Sequence, residues 1–163
     1  MSITIRSYGS EDIAAMNKIW NGIVTQGNAF PQTELLDETN GETFFGSQTY
    51  CGVAENTESN EITGLYILHP NNVGRCSHIA NASYAVSSKF RGRGIGEMLV
   101  KDCLVQAKLH GFKILQFNAV VKTNTAARKL YEKLGFIQLG TIKQGFLMKD
   151  GSYEDICPYY ITL

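Results

Sequence analysis

The residues best suited to chemistry are the six consecutive positions Arg91-Gly92-Arg93-Gly94-Ile95-Gly96, which follow Phe90. Glycines at 92, 94 and 96 remove side chains where backbone N–H groups would approach a ligand closely, and glycine adopts dihedrals that are costly for other residues. A helix opening near Ile95 would add its own unpaired N–H groups and the positive end of its dipole. Arg91 and Arg93 add charge and hydrogen-bond donors, and the combination suits a diphosphate. On local composition alone, a flexible basic loop with a glycine helix start fits equally well. The segment lacks the Gly-Lys-Ser/Thr ending of a P-loop, and its glycines alternate where a dinucleotide site has Gly-x-Gly-x-x-Gly. ATP and NAD are therefore weaker candidates than another phosphorylated ligand.

The elements that must position this turn are legible from periodicity. Ser2 to Tyr8 alternates and reads as a first strand. Ser10, Glu11 and Asp12 supply a cap and an acidic first turn for a helix whose apolar stripe is Ile13, Met16, Ile19, Trp20 and Ile23, and Gly27, Asn28 and Pro31 end it. Thr33 to Ser47 is expected to hold a second helix or pair of turns, with Leu35, Leu36, Phe44 and Phe45 buried. Thr49 to Ala54, Glu61 to Leu68 and His78 to Val86 read as strands joined by polar turns, so consecutive antiparallel pairing is the simplest topology. Ile95 to His110 is the clearest helix, with Met98, Leu99, Val105, Ala107 and Leu109 on its apolar face and Gly111 at its end. Phe112 to Val121 reads as a strand, Asn124 as the cap of another helix closed by Gly135, and Phe136 to Phe146 and Asp155 to Thr162 as the last strands, joined by a turn at Lys149 to Ser152. The order predicts an α/β or α+β sheet domain.

The whole chain bounds what such a domain can do. Its 163 residues suit a single core. Lys plus Arg equals Asp plus Glu, 15 each, so the chain does not resemble the strongly basic domains that hold nucleic acid, although a balanced total can hide a local basic patch, and no nucleic-acid partner is expected. Cys51, Cys76, Cys103 and Cys157 form no Cys-x-x-Cys pair, and His69, His78 and His110 show no metal-site spacing, so no metal is expected. No stretch approaches the roughly 20 apolar residues of a membrane span, and the start carries no export signal. A reduced, cytoplasmic protein without a membrane partner is the expectation.

Two blocks together point further. Arg91 to Gly96 resembles the Arg/Gln-x-x-Gly-x-Gly/Ala signature of the GCN5-related N-acetyltransferase (GNAT) superfamily. Asn124-Thr125-Ala126-Ala127-Arg128-Lys129-Leu130-Tyr131-Glu132-Lys133-Leu134-Gly135-Phe136 is similar to the later helix of that family and its Leu-Tyr-x-x-x-Gly-Phe ending. The order and separation of the blocks match as well, over roughly Ser83 to Phe136. The resemblance implies one acyl-CoA N-acyltransferase domain across residues 1–163, with a mixed, mostly antiparallel sheet of six or seven strands flanked by about four helices. It implies acetyl-CoA as cofactor, held at its diphosphate by Arg91, Gly92, Arg93, Gly94, Ile95 and Gly96. Along its pantetheine arm it implies contacts to Tyr84, Ala85 and Val86 and to Asn124, Ala127 and Tyr131.

The chemistry implied is attack of an amine on a thioester in a ternary complex, which needs a base for the amine, a donor for the oxyanion and an acid for the leaving thiolate. The resemblance places the Tyr131 phenol near the thioester sulfur as the acid; a tyrosine packed at a core edge is the bland alternative. A backbone N–H near Tyr84 to Val86 is the expected oxyanion donor. Glu34 is the candidate base, with Glu38 or a held water as alternatives; among the histidines His78 is the nearest candidate, and a surface or core-edge histidine is the better reading of it. Trp20, Phe30, Asn81 and Asn118 are expected on the acceptor side, although either asparagine could instead bridge strands. The acceptor is expected to be a small amine or amino acid. A protein N-terminus as acceptor, or a noncatalytic acyl-CoA sensor, are the alternatives, and exposed edge strands leave a homodimer open.

Overall fold

The computed structural model describes residues 1–163. Eight strands, β1 (Ile3–Ser7), β2 (Tyr50–Asn56), β3 (Glu61–Pro70), β4 (Ile79–Val86), β5 (Ile114–Val121), β6 (Ile137–Gln138), β7 (Ile142–Leu147) and β8 (Tyr153–Thr162), form one sheet. Four α-helices, α1 (Ile13–Gln26), α2 (Glu38–Gly46), α3 (Ile95–Leu109) and α4 (Thr125–Lys133), flank it. The order is β1-β2-β3-β4-β5-β8-β6, with β7 also on β8, and every pair is antiparallel except β4 with β5. This is the mixed, mostly antiparallel sheet expected, with the β2-β3-β4 meander as predicted.

The two faces follow from strand alternation. Leu65 and Ile67 of β3 and Ala85 of β4 pack against α1 residues Met16, Ile19 and Trp20. Tyr66, Leu68, Ala80 and Ala82 pack on the opposite side against α3, through Ile95, Leu99, Val100, Cys103 and Ala107. That set corrects the face expected for α3: Met98, Val105 and Leu109 are exposed, because the helix turns the stripe of Ile95, Leu99, Cys103 and Ala107 inward at i, i+4 spacing.

Two boundaries also differ from expectation. The second helix begins only at Glu38, because Asp37 and Asn40 form a reciprocal cap: Asn40 N donates to Asp37 Oδ1 at 2.8 Å and Asp37 N to Asn40 Oδ1 at 2.6 Å. The residues before it stay irregular, with Leu35 exposed, and Asn21 of α1 grips the Leu36 backbone through two 2.8 Å bonds. The single strand expected over Phe136 to Phe146 is two strands on one side of β8, which raises the strand count to eight. Leu139 N still donates to Pro158 O at 2.8 Å, but Pro158 has no N–H to return on that side, and the ladder breaks there.

β4 and β5 are the junction that matters for function. Their parallel pairing covers only Ile79↔Ile114, Ala80↔Leu115 and Asn81↔Gln116. Beyond Asn81 the strands part. On its other side β5 keeps pairing with β8, but the register moves from Phe117↔Tyr159 to Val120↔Cys157, so β5 carries one extra residue. A bulge bends its strand and increases the local twist, which turns β5 away from β4 and leaves a V-shaped opening in the middle of the sheet.

Candidate active site

Backbone groups of β4 line one side of this opening, and their directions can be assigned. His78 O accepts from Lys113 N, on the β5 side, and Ile79 O accepts from Asn71 N, on the β3 side. Alternation then turns the N–H and C=O of residues 82, 84 and 86 toward β5, and the parallel pairing ends at Asn81↔Gln116, which takes up the Ala82 N–H. The Ala82 C=O and the main-chain groups of Tyr84 and Val86 therefore face the opening without a partner strand. Ala85, expected on the cofactor arm, is different: its peptide groups serve the β3 ladder opposite Leu65 and its side chain is buried against α1.

The turn at Arg91 to Gly94 lies at the end of β4, beyond one short 3-10 turn. Gly92 and Gly94 have φ of 73° and 77°, the left-handed region that costs other residues about 1–2 kcal/mol. The Met98 amide is the first to bond back into α3, at 3.2 Å to Gly94 O, so the amides of Ile95, Gly96 and Glu97 have no backbone acceptor within the helix. Arg91 Nη2 donates to Gln26 Oε1 of α1 at 2.9 Å, and the Arg93 guanidinium lies 5.4 Å from the Phe90 ring centroid. Free N–H groups, two arginines and open space at both glycines fit a diphosphate.

From there a groove leads into the opening. Two adjoining hollows share Ala29, Tyr84 and Asn124 in their walls. The outer one, of about 420 Å³, runs from Arg91 and Gln26 past Val86 and Ala126. The inner one, of about 230 Å³, reaches Ala127 and Tyr131 on the α4 side and His69, Asn81, Asn118 and Phe30 on the α1–α2 side. A pantetheine-like chain would enter by the first and end in the second.

Helix α4 forms the wall facing β4. Asn124 caps it, its Oδ1 accepting from Ala127 N at 3.3 Å. Arg128 ties the helix to β8 and β6 by donating to Tyr159 Oη at 3.1 Å and Gln138 Oε1 at 3.3 Å. Tyr131 is thereby set at the base of the inner cavity, with Phe117, Phe136 and Tyr159 at centroid distances of 4.5, 5.5 and 5.9 Å. Burial pushes its phenol well above the usual tyrosine range, with Cys103 and Tyr159 acting in the same direction. It stays protonated at neutral pH, the state an acid requires. Tyr84, also shifted upward by burial, has a buried hydroxyl without a hydrogen-bond partner. Burial holds the Cys103 thiol up at about 12, so it is a small core group and not a thiolate nucleophile.

The acceptor side holds only part of what the sequence suggests. Phe30 lines the inner cavity; Trp20 does not, being 1% exposed and packed against Phe30, Phe44 and Phe45. Asn81 and Asn118 both line it and both also bridge. Asn81 Nδ2 donates to Gln116 O at 2.9 Å, at the last paired position of β4 and β5. Asn118 Nδ2 donates to Asn71 Oδ1 at 2.6 Å while its own Oδ1 accepts from Gln116 Nε2 at 3.0 Å. Glu34 lies in a neighbouring hollow beside Leu35 and Thr39, Glu38 is on the far side of α2 with Tyr8 and Ser10, and His78 is exposed outside the cavity. His69 does line it. Only the register His69↔Asn81 across β3 and β4 could have revealed that, and register is not a local signal.

Comparison with known proteins agrees with this geometry. Residues 16–136 match the profile of the Acetyltransferase (GNAT) family. The chain is 40% identical over 88 residues to N-acetyltransferase aca1 of Schizosaccharomyces pombe, a match spanning 54% of this chain and 42% of that protein. It superimposes on a GCN5-related N-acetyltransferase from Kribbella flavida with a TM-score of 0.90 at 30% identity, covering 99% of this chain and 98% of the other. A phosphinothricin acetyltransferase from Sinorhizobium meliloti, solved in complex with acetyl-CoA, shares the fold with a TM-score of 0.92 at 20% identity, over 100% of this chain and 89% of the other. No helix is long and apolar enough to cross a membrane. The chain belongs to the GNAT acetyltransferase family.

Proposed function

We propose that the protein transfers the acetyl group of acetyl-CoA to the amino group of a small molecule, an amino acid or related amine, by direct attack in a ternary complex. The observation that carries this reading is the opening between β4 and β5, which joins the glycine turn to the inner cavity through unpaired backbone groups at Tyr84 and Val86. Arg91, Arg93 and the free amides from Ile95 hold the diphosphate. The main chain of Tyr84 and Val86 and the side chain of Asn124 align the pantetheine arm, and Ala127 leaves room for it.

The chemistry follows from what faces the inner cavity. An oxyanion forming at the thioester carbonyl needs a fixed donor in a dry site; the Tyr84 N–H is unpaired there and rigid, because its neighbours are locked into the β3 ladder. Collapse of the tetrahedral species breaks the C–S bond, and Tyr131 gives its proton to the departing sulfur. The amine enters from the α1–α2 side past Phe30, Asn81 and Asn118. Asp, Glu, Lys and Arg are absent from the inner wall, and about 230 Å³ suits a small acceptor better than a folded polypeptide.

Thiol release from acetyl-CoA with a panel of amines, amino acids and peptides bearing free N-termini tests the reading. Release is expected with a small amine. Tight coenzyme binding with no release on any amine would favour a sensor, and release only with peptides would move the acceptor to protein N-termini.

A further inference from the structure

We infer that His69 is the base that takes the proton from the acceptor amine, its Nε2 serving the inner cavity; this deepens the acetyl-transfer reading and rests on it. His69 stands at the end of β3 directly across from Asn81 of β4. Side chains directly opposite on antiparallel strands share a face, with Cβ atoms about 4.5–5.5 Å apart. His69 is thus on the acceptor side of the opening, next to the amide that marks where β4 and β5 part. It is half-buried and lines the cavity with Asn118, Phe30 and Tyr131.

The ring is also held in one tautomer. Its Nδ1 lies 2.9 Å from the Pro70 carbonyl oxygen. A carbonyl can only accept, so Nδ1 carries the hydrogen and the lone pair of the neutral ring sits on Nε2. When Nε2 gains a proton the Nδ1–H bond to Pro70 remains, so the ring keeps its orientation through the transfer.

The other groups facing the cavity leave this task unfilled. The wall from β4 offers Asn81, Ser83 and Tyr84, β5 offers Phe117 and Asn118, the loop after α1 offers Phe30, Pro31 and Gln32, and α4 offers Tyr131. None is a carboxylate or an ammonium. Both tyrosines are held protonated by burial and cannot accept a proton at neutral pH, and Glu34 opens onto the neighbouring hollow.

The acceptor enters as an ammonium and gives one proton to His69 Nε2. The free amine attacks the thioester carbon, forming the C–N bond and moving the carbonyl electron pair onto oxygen. Collapse restores the carbonyl, breaks the C–S bond and sends its electron pair to sulfur, which takes the Tyr131 proton. The surplus proton on the new amide nitrogen returns Tyr131 to its phenol form, through water, and His69 loses its proton to solvent. The net products are the amide, free coenzyme A and one proton.

The test is a pH–rate profile of kcat/KM for the wild type, His69→Asn and His69→Gln with the best amine of the panel, beside coenzyme A affinity by calorimetry. Asn keeps a donor to the Pro70 carbonyl at the position of Nδ1 and removes only the basic nitrogen. Both variants should bind coenzyme A like the wild type. They should lose about 10²–10³-fold in kcat/KM at neutral pH, shed the acidic limb of the profile, and His69→Ala should recover activity with added imidazole. An acidic limb unchanged in His69→Asn, or a loss under threefold, overturns the role of His69 while leaving acetyl transfer intact. A wild type that binds coenzyme A and turns over no amine overturns both.

Discussion

Asn124 does two jobs in this structure, and they can be separated by two substitutions. Its Oδ1 caps α4 by accepting from Ala127 N, while the side chain borders both hollows of the groove. Removing the cap with Asn124→Ala should cost about 1 kcal/mol, the middle of the range for such caps; a 3.3 Å bond on a nine-residue helix gives no reason to go higher. For a domain of 163 residues that is a fall in Tm of about 2–4 °C. Asn124→Asp retains an acceptor oxygen and is as good a cap, so its Tm should stay within about 1 °C of wild type. Its effect on ligand is the reverse. The amide N–H that would serve the pantetheine arm is gone, a loss of about 1 kcal/mol for one hydrogen bond, or roughly fivefold in Kd. Differential scanning fluorimetry without ligand and calorimetric titration with coenzyme A read the two effects independently. A drop in Tm for Asn124→Asp equal to that of Asn124→Ala would refute the capping oxygen. Wild-type affinity in Asn124→Asp would refute the amide contact.

Three further outcomes follow from the same geometry. Gly94→Val places a β-branched residue at φ 77° beside the free amides of α3; coenzyme A affinity should fall at least tenfold, and an unchanged Kd would contradict the cradle. Tyr131→Phe keeps the ring among Phe117, Phe136 and Tyr159 and removes only the proton, so kcat should drop about 10²-fold or more with coenzyme affinity unaltered; unchanged kcat at saturating substrate would remove its role as acid. Arg6 ties β1 to the start of α1 by donating from Nη1 and Nη2 to Asp12 at 2.7 and 3.0 Å, and this bonding, offset in part by burial, holds the Asp12 carboxyl below the usual range. A depressed carboxylate contributes stability that is present above its unfolded pKa of about 3.9 and is lost as pH falls through its folded value. Urea midpoints should therefore fall more steeply below about pH 4 in the wild type than in Asp12→Asn; parallel curves would show that the pair carries no such linkage.

What the sequence shows and hides here divides along the cleft. The glycine turn, the Asn124 cap and Tyr131 lie within two contiguous blocks, Arg91 to Gly96 and Asn124 to Phe136, whose geometry is set by neighbours a few residues away: positive-φ glycines, a helix start, a side-chain cap. Such features are legible without knowing the fold. The acceptor half is assembled from the end of β3, the start of the β4–β5 divergence and the loop after α1, and no local rule joins them. His69 reaches the cavity through its register with Asn81, whereas His78, at the start of the same strand pair, is the surface histidine its sequence position suggested. Aromatic content made Trp20 look like a binding surface, yet burial between Phe30 and Phe45 makes it core. Ala85 could not be told from Tyr84 and Val86 until the hydrogen bonds of His78 and Ile79 set the direction of alternation. The opening itself depends on one surplus residue between Phe117 and Val120, counted only against β8. A bulge is a mismatch between two strands, so periodicity within one strand carries no trace of it. A turn suited to a diphosphate is built from consecutive backbone groups and is legible locally, whereas a group that could accept a proton from an amine would have to stand where three separate segments converge.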